Sequence, residues 1–154
     1  MQKELTKMLE ELSIKAFLSV ESIRCVQEND GKVYRFEITS EEPNIVIGKF
    51  GETLFSLQHI FRLMAEKKFP DEEIPHIIVD VDKYRDNQID NALSITDEFV
   101  KRMNELQREK IELPPMASYK RRAVHFHVME KYPELETEST GFGQERKIVV
   151  KRKA

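Results

Sequence analysis

Pro43-Asn44-Ile45-Val46-Ile47-Gly48-Lys49-Phe50-Gly51-Glu52-Thr53-Leu54 is the stretch whose reading decides the fold. A short apolar run enters two glycines three residues apart, and a helical segment leaves them. Leu54, Leu57, Ile60, Phe61 and Met64 recur at three- and four-residue spacing, which predicts a helix from about Glu52 to Lys67 with one apolar face. Glycines at 48 and 51 let the backbone turn sharply and approach a ligand, because no Cβ stands in the way. The helix that follows aims its unpaired N–H groups and positive dipole end at the loop. Lys49 adds a cation, and Ile45, Ile47 and Leu54 offer an apolar floor. Taken alone, the same pattern also describes a simple tight turn.

Working outward, Leu5, Met8, Leu9 and Leu12 mark an amphipathic helix over 3–13. FLSVESIRCV (17–26) and KVYRFEITS (32–40) are rich in β-formers, and Asn29-Asp30-Gly31 between them predicts a hairpin. Downstream, Pro70 and Asp71-Glu72-Glu73 form a loop, and His76–Val81 fits a buried strand. Asp82 is placed to cap a long helix through about Arg108, with Ile89, Ala92, Leu93, Thr96, Phe99, Val100, Met103 and Leu106 as its stripe. Pro114-Pro115 breaks the chain. A further helix spans Met116 to about Tyr132, Pro133 ends it, and residues 135–140 and 145–153 around Gly141-Phe142-Gly143 read as a closing hairpin, the glycine pair as a turn. Strands separated by helices predict α+β packing.

The 154 residues have a net charge of −3, which argues against an extensive phosphate-binding surface, but the charge is divided unevenly. Residues 1–111 hold 16 basic and 22 acidic side chains, and residues 112–154 hold 9 and 6. A basic tail region on an acidic body is one reading, and an incidental solubility pattern is another. The single cysteine, Cys25, forms no internal disulfide and suits a reducing compartment. No apolar run approaches the roughly 18 residues of a membrane span, and the charged start MQKELTKMLEEL is no signal peptide, so the expected location is cytoplasmic, without membrane insertion.

A second constellation is Tyr119-Lys120-Arg121-Arg122-Ala123-Val124-His125. Arg121 and His125 are four apart, so a helix sets them on one face. A guanidinium offers a donor fork for phosphate and a plane for stacking, and imidazole stacks and hydrogen-bonds. A solvated basic helix with a structural histidine is the plainer reading.

Two resemblances weigh on these readings. The order helix, strand, strand, helix, Gly-x-x-Gly, helix, strand resembles the type II (prokaryotic) KH domain, whose Gly-x-x-Gly loop clamps about four nucleotides. The run Leu113–His125, with Tyr132-Pro133, Glu136–Ser139 and Gly143–Val150, resembles the R-3-H domain, named for Arg, three residues and His. The pairing is similar to the bacterial Jag family of SpoIIIJ-associated proteins (KhpB). Ile47-Gly48-x-x-Gly51-x-Thr53-Leu54-x-x-Leu57-Gln58 and Val79-Asp80-Val81-Asp82-x-Tyr84-Arg85 also fit that family's pattern. The resemblance covers nearly the whole chain. It implies a KH-like domain at 1–82, a long connecting helix at 83–111 and an R-3-H domain at 112–154. It implies a single-stranded RNA-binding protein, single-stranded DNA being the other candidate, that acts as a post-transcriptional regulator or RNA chaperone linked to cell elongation or division and cell shape. A second small KH protein or a second copy is the implied protein partner.

The expected nucleic-acid-binding residues are Ile47, Gly48, Lys49, Phe50 and Gly51 in the first module. In the second they are Tyr119, Lys120, Arg121, Arg122, His125, Arg146 and Lys147. Phe50 departs from the basic or polar residue usual in that family, and either stacks on a base or packs inward. The loop 67–75 is long and acidic for the family, and the family's additional N-terminal domain has no room here.

Other chemistries fit poorly. Asp80, Asp82 and Asp86 fail as a calcium loop, because the sixth position is Arg85 and the twelfth is Asn91. His125 and His127 lie about 200° apart on a helix and do not chelate one ion. No nucleophile elbow, Walker loop or dinucleotide fingerprint is present. The expectation is therefore no enzyme, no metal and no cofactor. The rival from another class is a protein-interaction adaptor with a KH-like fold.

Overall fold

The structure, a computed structural model, describes residues 1–154 and divides into two compact units, Met1–Arg85 and Asp86–Ala154. The chain is α+β throughout. In the first unit, α1 (Gln2–Lys15) precedes β1 (Ser22–Glu28) and β2 (Val33–Thr39). A five-residue helix α2 (Pro43–Ile47) follows, then a single 3₁₀ turn at Lys49–Gly51, α3 (Glu52–Lys68) and β3 (His76–Val81). β2 is central, antiparallel to β1 and parallel to β3. Alternation sends Phe36, Ile38, Ile77, Val79 and Val81 to one face, where they meet Leu5 and Leu9 of α1 and Leu54, Leu57, Phe61 and Ala65 of α3. Phe36 and Phe61 meet edge to face at 5.1 Å.

Two local details differ from the sequence expectation. Residues 17–21 are not strand: Phe17 takes a positive φ of 56° and closes α1, its N–H on Ile14 O (3.0 Å) and the Leu18 N–H on Ser13 O (3.0 Å). At the start of the long helix, Asp82 and Lys83 both have positive φ, so Asp82 is not the cap. The acceptor is Asp80 Oδ1, which takes the backbone N–H groups of Val81 (3.0 Å) and Arg85 (3.2 Å). Arg85 then seals the open edge of β3. Its Nε donates to Val79 O (3.0 Å) and its Nη2 to Gln58 Oε1 (2.7 Å), which also accepts the Val79 N–H (2.9 Å). An edge strand is thereby covered by side chains.

The second unit takes most of α4 (Tyr84–Glu105), then β4 (Lys110–Glu112), α5 (Ser118–Lys131), β5 (Leu135–Thr140), a 3₁₀ turn at Gly143–Glu145 and β6 (Lys147–Arg152). β6 is central and antiparallel to both β4 and β5. Strand β4 has no counterpart in the sequence reading: α4 stops at Glu105, and Gln107 at φ 50° turns the chain into it. Ala92, Val100 and Met103 of α4 are buried with Val124 and Val128 of α5 and with Leu135, Ile148 and Val150. The helix read as a connector therefore supplies much of the second core. Counted by these units, 1–85 holds 12 basic and 16 acidic side chains and 86–154 holds 13 and 12, so the charge contrast is milder than a cut at 111 suggests.

Asp97 joins α4 to α5. Its carboxylate accepts from Tyr132 Oη (2.8 Å) and Lys131 Nζ (2.7 Å) and lies 2.7 Å from His127 Nε2. Burial would raise its pKa, but the hydrogen bonds from Lys131, His127 and Tyr132 hold it down to about 2. Asp97→Ala is expected to destabilise this unit by about 1–3 kcal/mol. Because the folded pKa is depressed, the contribution is complete above the unfolded Asp value near 4 and fades as pH falls through about 2. Thermal melts of both chains should differ at neutral pH and converge in acid.

Candidate nucleic-acid interface

The glycine loop of the first unit is set by backbone geometry. Gly48 sits at φ 73°, ψ 179°, and Gly51, which caps α3, at φ 83°. No side chain caps α3, and the N–H of its first residue, Glu52, donates to Lys49 O within the 3₁₀ turn, so the loop backbone itself satisfies part of the helix start. Between the glycines, Phe50 occupies the left-handed region at φ 54° and is 82% exposed. It points outward instead of packing in, with Lys49 Nζ 5.6 Å from its ring centre. Ile45 is exposed and Ile47 half-buried, while Leu54 is fully buried in the core and no part of a surface floor.

The second unit holds a hydrogen-bonded ridge. His125 of α5 bonds through Nδ1 to the hydroxyl of Thr137 on β5. Two residues along the same face of β5, the Ser139 hydroxyl accepts from Arg146 Nε (2.9 Å), and Arg146 Nη1 donates to Gly141 O (2.9 Å). Arg121 Nη1 donates to Met116 O (2.7 Å), and the Met116 N–H donates to Arg146 O (3.2 Å). Arg121 and His125 of α5 and Arg146, about twenty residues on, are thus braced in one framework. Beside them on α5, Arg122 is exposed, with its guanidinium carbon 5.9 Å from the ring centre of Phe126.

Other expected residues point elsewhere. Lys120 is half-buried with Nζ on Gln88 Oε1 of α4, and desolvation lowers its pKa. Lys147 alternates with Ile148 and so lies on the sheet face away from α5, where its Nζ pairs with Glu112. Lys151 on that face pairs with Glu136 (3.4 Å) and Glu138 (3.3 Å). Tyr119 is half-buried in the first turn of α5. Sequence reading missed Thr137 and Ser139, whose period-2 spacing on β5 was the available signal, and Phe126, which adjoins His125 with ring centres 6.0 Å apart.

Residues 91–152 match the family model of the R-3-H domain, a match that begins inside α4. Over 134 residues, 83% of this chain, the sequence is 30% identical to the RNA-binding protein KhpB of Bacillus subtilis (strain 168). The chain spans about 60% of that protein's length.

Proposed function

We propose, from the R-3-H segment at 91–152 and the similarity to KhpB, that this chain binds single-stranded RNA and serves as a bacterial post-transcriptional regulator or RNA chaperone, with a link to cell elongation or division. The observation that carries the reading is the braced ridge of Arg121, His125 and Arg146 beside the exposed Arg122. It gathers phosphate donors and a stacking ring without the convergent carboxylates or paired nucleophile and base that chemistry on a substrate would need. At Cys25 burial pushes the thiol up, outweighing a hydrogen bond from Gln2, so the one cysteine offers no activated thiolate.

The first unit is proposed to be a type II KH-like module. The mixed sheet with β2 parallel to β3, the helix pair around Gly48–Gly51 and the outward Lys49 and Phe50 support that assignment. Each site alone is weak, and two on one chain raise avidity when one strand engages both. A cytoplasmic location fits this role. A second reading, docking of a small KH protein or a second copy through the first unit, is favoured by Ile60 and Leu63, which lie exposed on α3. Mass measurement of the purified chain with and without RNA separates the two readings.

Salt dependence gives the direct test. Lys131, Lys147 and Lys151 are tied to carboxylates, and Arg121, Arg122, Arg146 and Lys49 are the cations of the two proposed sites. Three or four such contacts on a single strand predict a slope of log affinity against log salt of about −2 to −3. Affinity for a labelled oligouridine that did not change with salt would contradict the reading.

A further inference from the structure

Phe142 is 89% exposed at the tip of the β5–β6 hairpin, outside the ridge described above. Single exposed apolar residues are ordinary on protein surfaces, so exposure alone says little. What sets this one apart is how its backbone is held. Arg146 spans the hairpin from Ser139 Oγ to Gly141 O, both at 2.9 Å. The Glu145 N–H donates to Phe142 O itself (3.1 Å), and the Arg146 N–H to Gly143 O (3.3 Å). Gly141 adopts φ 90°, and a Cβ there would lie 3.1 Å from Glu145 O, so the glycine before the phenylalanine is required by the turn. A fixed backbone lowers the ordering cost of using the ring for binding.

The brace is also the one that organises the ridge. Thr137, Ser139 and Gly141 follow one another at two-residue steps. The first holds His125, the next two hold Arg146, and the strand rise puts Thr137 and Gly141 roughly 14 Å apart. Arg121 reaches the same turn through Met116 and the Arg146 carbonyl. An imidazole, a guanidinium and a phenyl ring are thus anchored along one hairpin, the first two through hydroxyls of β5 and the third on the residue after Gly141. A strand whose bases are splayed apart stacks on such rings while its phosphates meet the guanidinium.

We infer that Phe142 is a base-stacking residue of the R-3-H surface, taking an unpaired base of the same RNA strand that His125 and Arg146 contact. The inference rests on the RNA-binding reading above and extends it to a second stacking point.

The chain has no tryptophan, so Phe142→Trp installs a single tryptophan, excited selectively at wavelengths where the four tyrosines do not absorb. Oligouridine is expected to quench that emission on binding, whereas heparin, a polyanion without bases, leaves it unchanged. In anisotropy titrations, Phe142→Ala and Phe142→Leu should each weaken oligouridine about tenfold and leave heparin affinity alone, while Phe142→Trp retains full affinity. Oligouridine that binds the Phe142→Trp chain without altering its emission would overturn the inference and spare the RNA-binding reading. So would Phe142→Leu with undiminished affinity. If no oligonucleotide binds the parent chain, both fall together.

Discussion

Arg121→Ala combined with His125→Ala is expected to weaken oligouridine binding about 30- to 100-fold while the chain stays folded. Loss of one stacked ring is worth roughly 1–3 kcal/mol. Arg121 contributes charge and, through Met116 O, the position of the Arg146 backbone. About 2–3 kcal/mol in total corresponds to the stated range. The pair should not behave additively, because both residues feed one framework, His125 through Thr137 and Arg121 through Met116. Arg121→Lys separates charge from geometry: a lysine keeps the cation but not the guanidinium fork, and most of the Arg121 loss should persist. Lys67→Ala and Lys68→Ala, on the exposed last turn of α3, should change affinity less than about twofold. Equal losses at the lysines and at the pair would reduce the second unit to unspecific electrostatics. Melting profiles bound the structural share, since an unpartnered Met116 carbonyl costs about 1–3 kcal/mol at most.

Much of this arrangement was legible from local chemistry. The three- and four-residue stripes of α1, α3 and α4 and the alternation of Tyr34, Phe36 and Ile38 give helices and strand directly, because burial selects for them. The Gly-x-x-Gly loop and the Arg-x-x-x-His helix were also plain. Three things were not. Strand β4 is three residues, Lys110-Ile111-Glu112, whose pairing is set by β6 about forty residues on and leaves no local trace. The membership of α4 in the second core follows from which face of its stripe meets Val124 and Val128, and a stripe alone does not name its partner. The sorting of basic residues was invisible as well. Lys120 and Arg121 are neighbours, yet one turns to Gln88 and the other to Met116, because about 100° of helix separates them. Lys147 was lost to the opposite face by a single step of strand alternation. Composition counts cations, but the fold decides which of them share a surface.

Gly48→Ala is expected to destabilise the first unit by about 3 kcal/mol or more, the largest stability change of any single substitution in the loop. At φ 73°, ψ 179° the residue lies in a region that is essentially glycine's alone, costing roughly 1–3 kcal/mol for any other residue. A Cβ there would also sit 2.1 Å from Thr53 Oγ1 and 2.9 Å from the Thr53 backbone nitrogen, and the latter cannot rotate away. Gly51→Ala should be milder: φ 83° is left-handed helical, and the nearest clashes, 2.8 Å to the Phe55 ring edge and 3.2 Å to the Tyr84 ring, are with side chains and not with backbone. Hydrogen exchange should therefore show protection lost across residues 1–85 in Gly48→Ala and retained across 86–154, whose core is separate. It follows that aspartates at 48 and 51, the obvious way to abolish binding at such a loop, would report on folding as much as on RNA. Phe50→Gly is the cleaner probe. It removes the exposed ring and relieves a phenylalanine from φ 54°, so stability should hold or rise slightly while any contribution of the ring to RNA binding disappears. If Gly48→Ala melted like the parent chain, the loop backbone would have a freer conformation than the one described, and its part in presenting Lys49 and Phe50 would have to be abandoned.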